Sequence, residues 1–410
     1  MIDIKTKKIR IWDCVLLFIC FFMTFKQLNV LFPPLSTVGF LMVGSLVLFF
    51  LANPRLNATS SVWLALYSLV LVLNYLSGDK YFDSIGDVVQ EIVILFFTSS
   101  LTFYIISNEH IKLAKILIFS TLAVIIYYSI SSFIIEQENP GIIRNTVYMT
   151  NVGDLEELRF VYSRGLATYQ LPHAVPILIP PLVMCIRGNT IRKWQRILYV
   201  VALIAIFVIT FISYAATALF LAISILILTL LFRAGKAQNN IVRLVVIGII
   251  LLPLIINPGI IVKPFLGLLS SAEDASYVEK LMDIEQLTGS GVSSGSVAAR
   301  ESKYEITLYE IMENPLLGTN NRTGEHSAIF DRWACLGLIG WIPYLMFLFS
   351  QYKLALKRIC KDKRAYYVLG ILAASFMLFT KNMSNWETWF MVFTILPLMI
   401  WLQSQPTMKR

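Results

Sequence analysis

Apolar runs close to the length of a bilayer crossing recur along this chain from one end to the other, and they limit what it can fold into. A helix needs about 20 apolar residues to cross the hydrocarbon core. Runs of that order stand at about 11–31, 36–52, 61–77, 88–106, 113–135, 171–186, 197–212, 214–232, 241–262, 327–349, 365–380 and 388–402. In lipid, backbone polar groups must be bonded within their own segment or in a closed barrel. The alternating pattern of barrel strands is absent. The expectation is an all-α fold: a polytopic integral membrane protein of about 12 transmembrane helices, in a single membrane domain over 1–410. Composition agrees, with 57% apolar and only 14% charged residues, against about a quarter charged in soluble proteins.

The first run lacks a small-residue cleavage site and leads through Lys26, Gln27 and Asn29 straight to the second. It reads as a retained span rather than a signal. The five cysteines, Cys14, Cys20, Cys185, Cys335 and Cys360, lie in or beside apolar runs, which argues against a disulfide framework and against a cysteine metal site.

A net charge of +9 invites a nucleic-acid reading. Placing both termini in the cytoplasm puts 22 of the 34 basic residues on the inner side with four acids, and leaves 12 basic residues and 21 acids outside. Basic residues retained in inner loops set membrane orientation. The charge is therefore topogenic, and nucleic acid is not an expected partner.

Two outer connections are long, at about 136–170 and 263–325, and long connections in compact domains are commonly functional. Within the second, 297–313 reads as an amphipathic helix. Val297, Tyr304, Leu308, Ile311 and Met312 fall on one face, and Lys303, Thr307 and Glu310 on another. Arg300 lies at the edge of the apolar stripe, and Asn314-Pro315 ends the helix. It would lie on the outer membrane surface; a loop helix packed on the bundle is the alternative. The sixth run carries Pro172, Pro176, Pro180 and Pro181 beside His173, so a kinked or broken helix is expected there.

Ionisable residues cluster where the second long connection enters the tenth run: Arg322, Glu325, His326, Asp331 and Arg332. Such groups at the mouth of a membrane helix are costly, and so suggest a site. His326, Phe330, Trp333, Gly337 and Gly340 follow at steps of 4, 3, 4 and 3, which would place them on one helical face. The two glycines would let another helix approach closely. A neutral imidazole there can accept a proton near neutral pH, oriented by Glu325 or Asp331; the alternative is an interfacial histidine bonded to a carbonyl. Arginines Arg144, Arg159, Arg164, Arg300, Arg322 and Arg332 stand outside. Guanidinium groups grip phosphate in a fork, though each could instead pair with an outer acid. Nucleotide-binding and metalloprotease motifs are absent, and no metal or cofactor is expected.

His326-Ser327, nine residues, then Gly337-Leu338-Ile339-Gly340 resembles the motif of the O-antigen polymerase and O-antigen ligase superfamily. The run from Arg300 to Pro315-Leu316-Leu317-Gly318 is similar to that family's arginine helix ending in a Pro-x-x-Gly turn. Arg164-Gly165 is similar to its other arginine-glycine stretch. The resemblance implies a metal-independent glycosyltransferase on the outer face of the bacterial cytoplasmic membrane. It would use undecaprenyl-diphosphate-linked glycan and neither nucleotide sugar nor ATP. It implies His326 as the base on the acceptor hydroxyl, and Arg300 and Arg164 as holders of the leaving diphosphate. Arg159, Arg322, Lys303, Glu325 and Arg332 are further candidates to bind diphosphate or glycan, and a chain-length regulator protein is a candidate partner. The product would be O-antigen, capsule or another exopolysaccharide. Ligases of the superfamily carry an arginine at the start of the eighth span; 213–219 here has no basic residue. The resemblance thus points to a repeat-unit polymerase, with a ligase acting on lipid A core as the alternative. A transporter or flippase for a lipid-linked or anionic substrate is the alternative of another class.

Overall fold

A computed structural model describes residues 9–30, 32, 34–51, 58–78, 81–82, 84–152, 155–188, 191–213, 215–232, 295–319 and 326–405. The described residues contain no strand. The helices are α1 (Ile11–Thr24), α2 (Lys26–Val30), α3 (Pro34–Leu51), α4 (Ala58–Leu76), α5 (Ile85–Ser107) and α6 (Ile111–Glu138). Then come α7 (Ile142–Val152), α8 (Leu155–Ser163), α9 (Leu171–Ala174), α10 (Ile179–Arg187), α11 (Lys193–Ile212) and α12 (Ala216–Leu231). After the second long connection follow α13 (Gly295–Glu313), α14 (Phe330–Arg358), α15 (Arg364–Thr380), α16 (Trp386–Phe390) and α17 (Leu396–Ser404). The run 241–262, and with it Arg322 and Glu325, lies outside the described residues.

Among the described residues, five helices are long and apolar enough to cross a membrane, and shorter apolar helices accompany them. Helix α4 shows why such a helix belongs in lipid. Its buried side carries Leu64, Tyr67 and Leu71, while Val62, Leu66, Leu69, Leu73 and Leu76 are exposed on the other. A helix apolar all round is stable only when protein covers one side and hydrocarbon the other. Helix α14 lies along α4, α11 along α6, and α3 along α5.

The proline-rich run is broken as expected: α9, a 3-10 turn over Val175–Leu178, then α10. Every residue from Leu171 to Cys185 is buried. Proline removes a backbone donor and clashes with the preceding turn, which breaks the helix. Here the irregular backbone is covered by α11, α12 and α15 rather than facing lipid, which is where such backbone is tolerated.

Helix α13 covers the expected amphipathic stretch, but its buried side is turned. Thr307 and Ile311 are buried, while Leu308 and Met312 are exposed. The Tyr304 hydroxyl donates to the Phe379 carbonyl at 3.2 Å. Helix α13 packs on α14, so the face that the bundle covers, and not the hydrophobic stripe, sets its buried side.

The tenth run also differs from its helical count. Helix α14 begins at Phe330, so His326 stands on a bend ahead of it and shares no helical face with Gly337. At Gly337 the backbone leaves the helix, with φ 58° and ψ −173°. The turn 314–319 is seated in that kink. Leu338 N donates to the Pro315 carbonyl at 3.0 Å, Ile339 N to Leu316 at 3.3 Å, and Thr319 N to Ala334 at 2.8 Å. The kink makes a second helix start, whose amide groups would otherwise lack acceptors; the turn supplies them. Gly318, at φ 76°, faces Gly337 across the contact. Gly337 thus packs against a turn and not a helix, whereas Gly340 stands against Val70 of α4.

A methyl on Gly337 would lie 2.2 Å from the Leu316 carbonyl oxygen, and one on Gly318 would lie 2.2 Å from that of Cys335. Both positive φ and backbone overlap oppose a side chain, so Gly337→Ala and Gly318→Ala should each destabilise by about 2–5 kcal/mol. Thermal unfolding in detergent measures this. Gly39→Ala, where a methyl meets nothing within 4 Å, serves as the control, and equal midpoints for all three would show that the interlock holds nothing.

Candidate functional site

The segment 326–332 reaches the bundle before α14 starts. Ser327 lies just ahead of the helix start: its Oγ accepts from Phe330 N at 3.1 Å, and its own N–H donates to Asp331 Oδ2 at 3.1 Å. This reciprocal pair satisfies donors at the helix start. Asp331, expected as a possible orienter of His326, is buried and accepts from the Ser327 backbone N–H. Ala328 N donates to the Lys381 carbonyl at 3.1 Å, and Ile329 N to Leu378 at 3.3 Å. His326 itself is half-buried. The last turn of α15 therefore receives both the His326 segment and, through Tyr304, the helix that carries Arg300.

Arg332 has left the surface. It is 0% exposed, and its Nε donates to the Tyr67 hydroxyl at 2.8 Å. Nη1 donates to the Ala328 carbonyl at 2.7 Å, and Nη2 to Glu91 Oε1 and Ser384 Oγ, both at 2.6 Å. The guanidinium also lies 4.6 Å from the Tyr344 ring centre. Expected among substrate ligands, Arg332 is instead engaged on every side by the protein. A charge can stay inside a bundle only when so matched. The Ser384 hydroxyl in turn donates to Glu91, at 2.9 Å, and accepts from Trp389 Nε1 at 3.1 Å. Burial raises the pKa of the nearby Tyr81 hydroxyl, against the opposing pull of Arg332, so it remains a neutral phenol.

A second cluster lies at the same end of the bundle. Glu387, nearly buried, accepts from Thr168 at 3.2 Å and pairs with Lys26 at 3.4 Å. Trp386 Nε1 reaches Thr24 Oγ1 at 3.2 Å, and Lys26 N donates to the Tyr128 hydroxyl at 2.6 Å. Burial, and then the Glu387 carboxylate, push the Tyr162 hydroxyl up to about 12. The linker between α15 and α16, with the first turn of α16, thus joins three connections at this end of the bundle.

Arg164 is exposed and pairs with Glu138. Its neighbour Gly165 has φ 98°, and its carbonyl accepts from Ser131 Oγ at 2.6 Å. Ala167 N donates to Ser132 Oγ at 2.9 Å. The guanidinium is accessible while its backbone is pinned to α6, and an exposed pair of this kind holds it weakly. Arg159 is exposed on α8, and Lys303 is half-buried on α13. Arg300 lies in α13; its side chain is outside the described residues, as are Arg322 and Glu325.

Glu91, Ser384, Glu387, Lys26 and Tyr67 were not singled out by the sequence. Two of them carried a signal: Glu91 is an acid inside an apolar run, and Glu387 stands between Trp386 and Trp389. Comparisons of the chain with protein-family models, with curated proteins and with solved structures found no match.

Removing one partner of a buried pair leaves a bare charge, at a cost of about 3–5 kcal/mol, whereas replacing both by apolar residues costs much less. Arg332→Met and Glu91→Leu should therefore each sharply reduce the yield of folded protein, and the double variant should recover much of it. Yield of monodisperse protein on size exclusion in detergent reads the result. A double variant no better than the worse single would mean that the two charges are not coupled.

Proposed function

We propose that this chain is a glycosyltransferase that polymerises undecaprenyl-diphosphate-linked oligosaccharide repeat units on the outer face of the bacterial cytoplasmic membrane. In this reading about 12 spans cross the membrane, both termini are cytoplasmic, and the end bearing His326 faces outward. One observation carries the proposal. The separate sequence stretches that resemble the superfamily converge in space: the Pro315–Gly318 turn sits in the Gly337 kink, and the Arg300 helix and the His326 segment dock on the same turn of α15. The Arg164 loop joins them through Thr168 and Glu387.

The chemistry follows from those groups. His326 takes the proton from a hydroxyl of the acceptor unit as that oxygen attacks the anomeric carbon of the donor glycan. The bond to the diphosphate breaks with its electron pair, and the leaving group gains negative charge. The guanidinium groups of Arg300 and Arg164 would stabilise that charge more in the transition state than before it. Arg332 plays no direct part; it fixes the helix start behind His326. Lys303, Arg159, Arg322 and Glu325 are candidates to hold glycan or diphosphate.

His326→Ala and Arg300→Ala should each abolish long-chain glycan while leaving protein level and lipid-linked single units unchanged; Lys303→Ala and Arg144→Ala should matter less. The assay incubates purified protein with a lipid-linked repeat unit, with and without lipid A core, and looks for a ladder on a gel. A normal ladder from His326→Ala would remove the histidine from the mechanism. Product only in the presence of lipid A core would move the assignment to a ligase, and movement of labelled lipid across vesicles with no new bond would move it to a flippase.

A further inference from the structure

Lys26 stands where α1 gives way to α2. Phe25 leaves the helical region, at φ −100° and ψ 89°, and α2 then lies against α8. This turn is tied to α6: Lys26 N donates to the Tyr128 hydroxyl at 2.6 Å, and that hydroxyl donates to Gln27 Oε1 at 3.0 Å. Gln27 and Tyr127 form the surface on which the Arg164 loop rests. A methyl on Gly165 would lie 2.6 Å from the Tyr127 hydroxyl and 3.1 Å from Gln27 Nε2, so glycine is what lets the loop lie this close.

Glu387 closes the arrangement from the other side. Its side chain is 7% exposed, against 23% for Lys26. A carboxylate withdrawn from water needs fixed donors. Among the described residues two side chains supply them: Lys26 at 3.4 Å, from the turn between α1 and α2, and Thr168 at 3.2 Å, from the loop that follows Arg164. Thr168 Oγ1 also accepts from Leu171 N at 3.3 Å, which ties it to the start of α9. Glu387 belongs to the first turn of α16. The linker before it carries Lys381, whose carbonyl receives Ala328 N of the His326 segment. One carboxylate therefore spans the two halves of the proposed site, and a shift of the Arg164 loop strips it of a donor. A partly exposed ion pair adds little to stability; what it supplies here is placement.

We propose that Lys26, Glu387 and Thr168 form a latch that fixes the Arg164 loop relative to the His326 segment. They act through Arg164 and are positioning residues, not catalytic ones. The latch follows from these contacts, whereas its effect on turnover rests on the glycosyl transfer proposed above. In that reaction Arg164 acts on charge that grows as the diphosphate leaves, so a displaced loop costs turnover more than substrate binding.

Two measurements on the detergent-solubilised full chain separate the latch from the reaction. The first places a nitroxide on Ser163→Cys, exposed at the end of α8, in a background with the exposed cysteines changed by Cys14→Ser and Cys360→Ser. Thr168→Val and Lys26→Gln should each narrow its spectrum, and Lys26→Arg should not. The second is the ladder assay on monodisperse protein. Thr168→Val should lower kcat by about tenfold to a hundredfold, with KM within about twofold of wild type. In an Arg164→Lys background the same change should cost less than about threefold, because coupled residues are not additive. A merely structural role would lower the folded fraction and give equal losses in both backgrounds. An unaltered spectrum in Thr168→Val overturns the latch whatever the protein catalyses, and a narrowed spectrum with unchanged kcat overturns its part in turnover. If wild type forms no ladder, the transfer reading falls and the spectra alone decide the latch. If Lys26→Gln does not fold, Thr168→Val, which keeps the volume, carries both arms.

Discussion

A cation and an anion sealed inside an apolar bundle set the terms for everything at the His326 end. Arg332 and Glu91 are both almost fully buried, and neither could be there alone, since removing a charge from water costs several kcal/mol. The protein meets that cost with geometry. Tyr67 from α4, Glu91 from α5, the Ala328 carbonyl ahead of α14, and Ser384 from the linker all converge on one guanidinium. Each contact fixes an element that the hydrophobic effect alone would leave able to slide, because apolar surfaces in lipid have little preferred register. His326 lies six residues before this anchor and inherits its position from it.

The architecture at low resolution was legible in the sequence. Long apolar runs leave a membrane helix no alternative, and four prolines in one run announced the break between α9 and α10. The tenth run was legible only in outline. Steps of 4, 3, 4 and 3 from His326 to Gly340 assume an unbroken helix, and Gly337 breaks it because a turn upstream offers acceptors for its amide groups. The same limit applies to α13, whose buried side is set by the neighbouring α14 rather than by its own stripe. Arg332 was misplaced for another reason. An arginine in a charged cluster at a helix mouth reads as a surface ligand until its partners, far away in the chain, are seen beside it.

The candidate site divides accordingly. His326 and Arg164 were named from sequence and remain accessible, the former half-buried and the latter exposed. The residues that hold them in place, Ser327, Ser384, Glu387 and Gly165, act through backbone geometry and long-range bonds that no local pattern displays. The linker between α15 and α16 unites them, and it is short, polar and unremarkable as a string of letters.

The spacing of Arg332's partners along the chain also orders assembly. The turn and the kink are near neighbours, with Thr319 and Ala334 separated by 15 positions, so this piece can form as soon as it is made. Tyr67 and Glu91 precede Arg332 by 265 and 241 positions, whereas Ser384 follows by 52. Chains are made and fold from the N-terminus. The arginine therefore meets its carboxylate before the serine that completes the shell exists. The bundle stays open at that end until the final helical hairpin has been inserted, and truncation anywhere before Ser384 leaves a half-solvated charge at its centre.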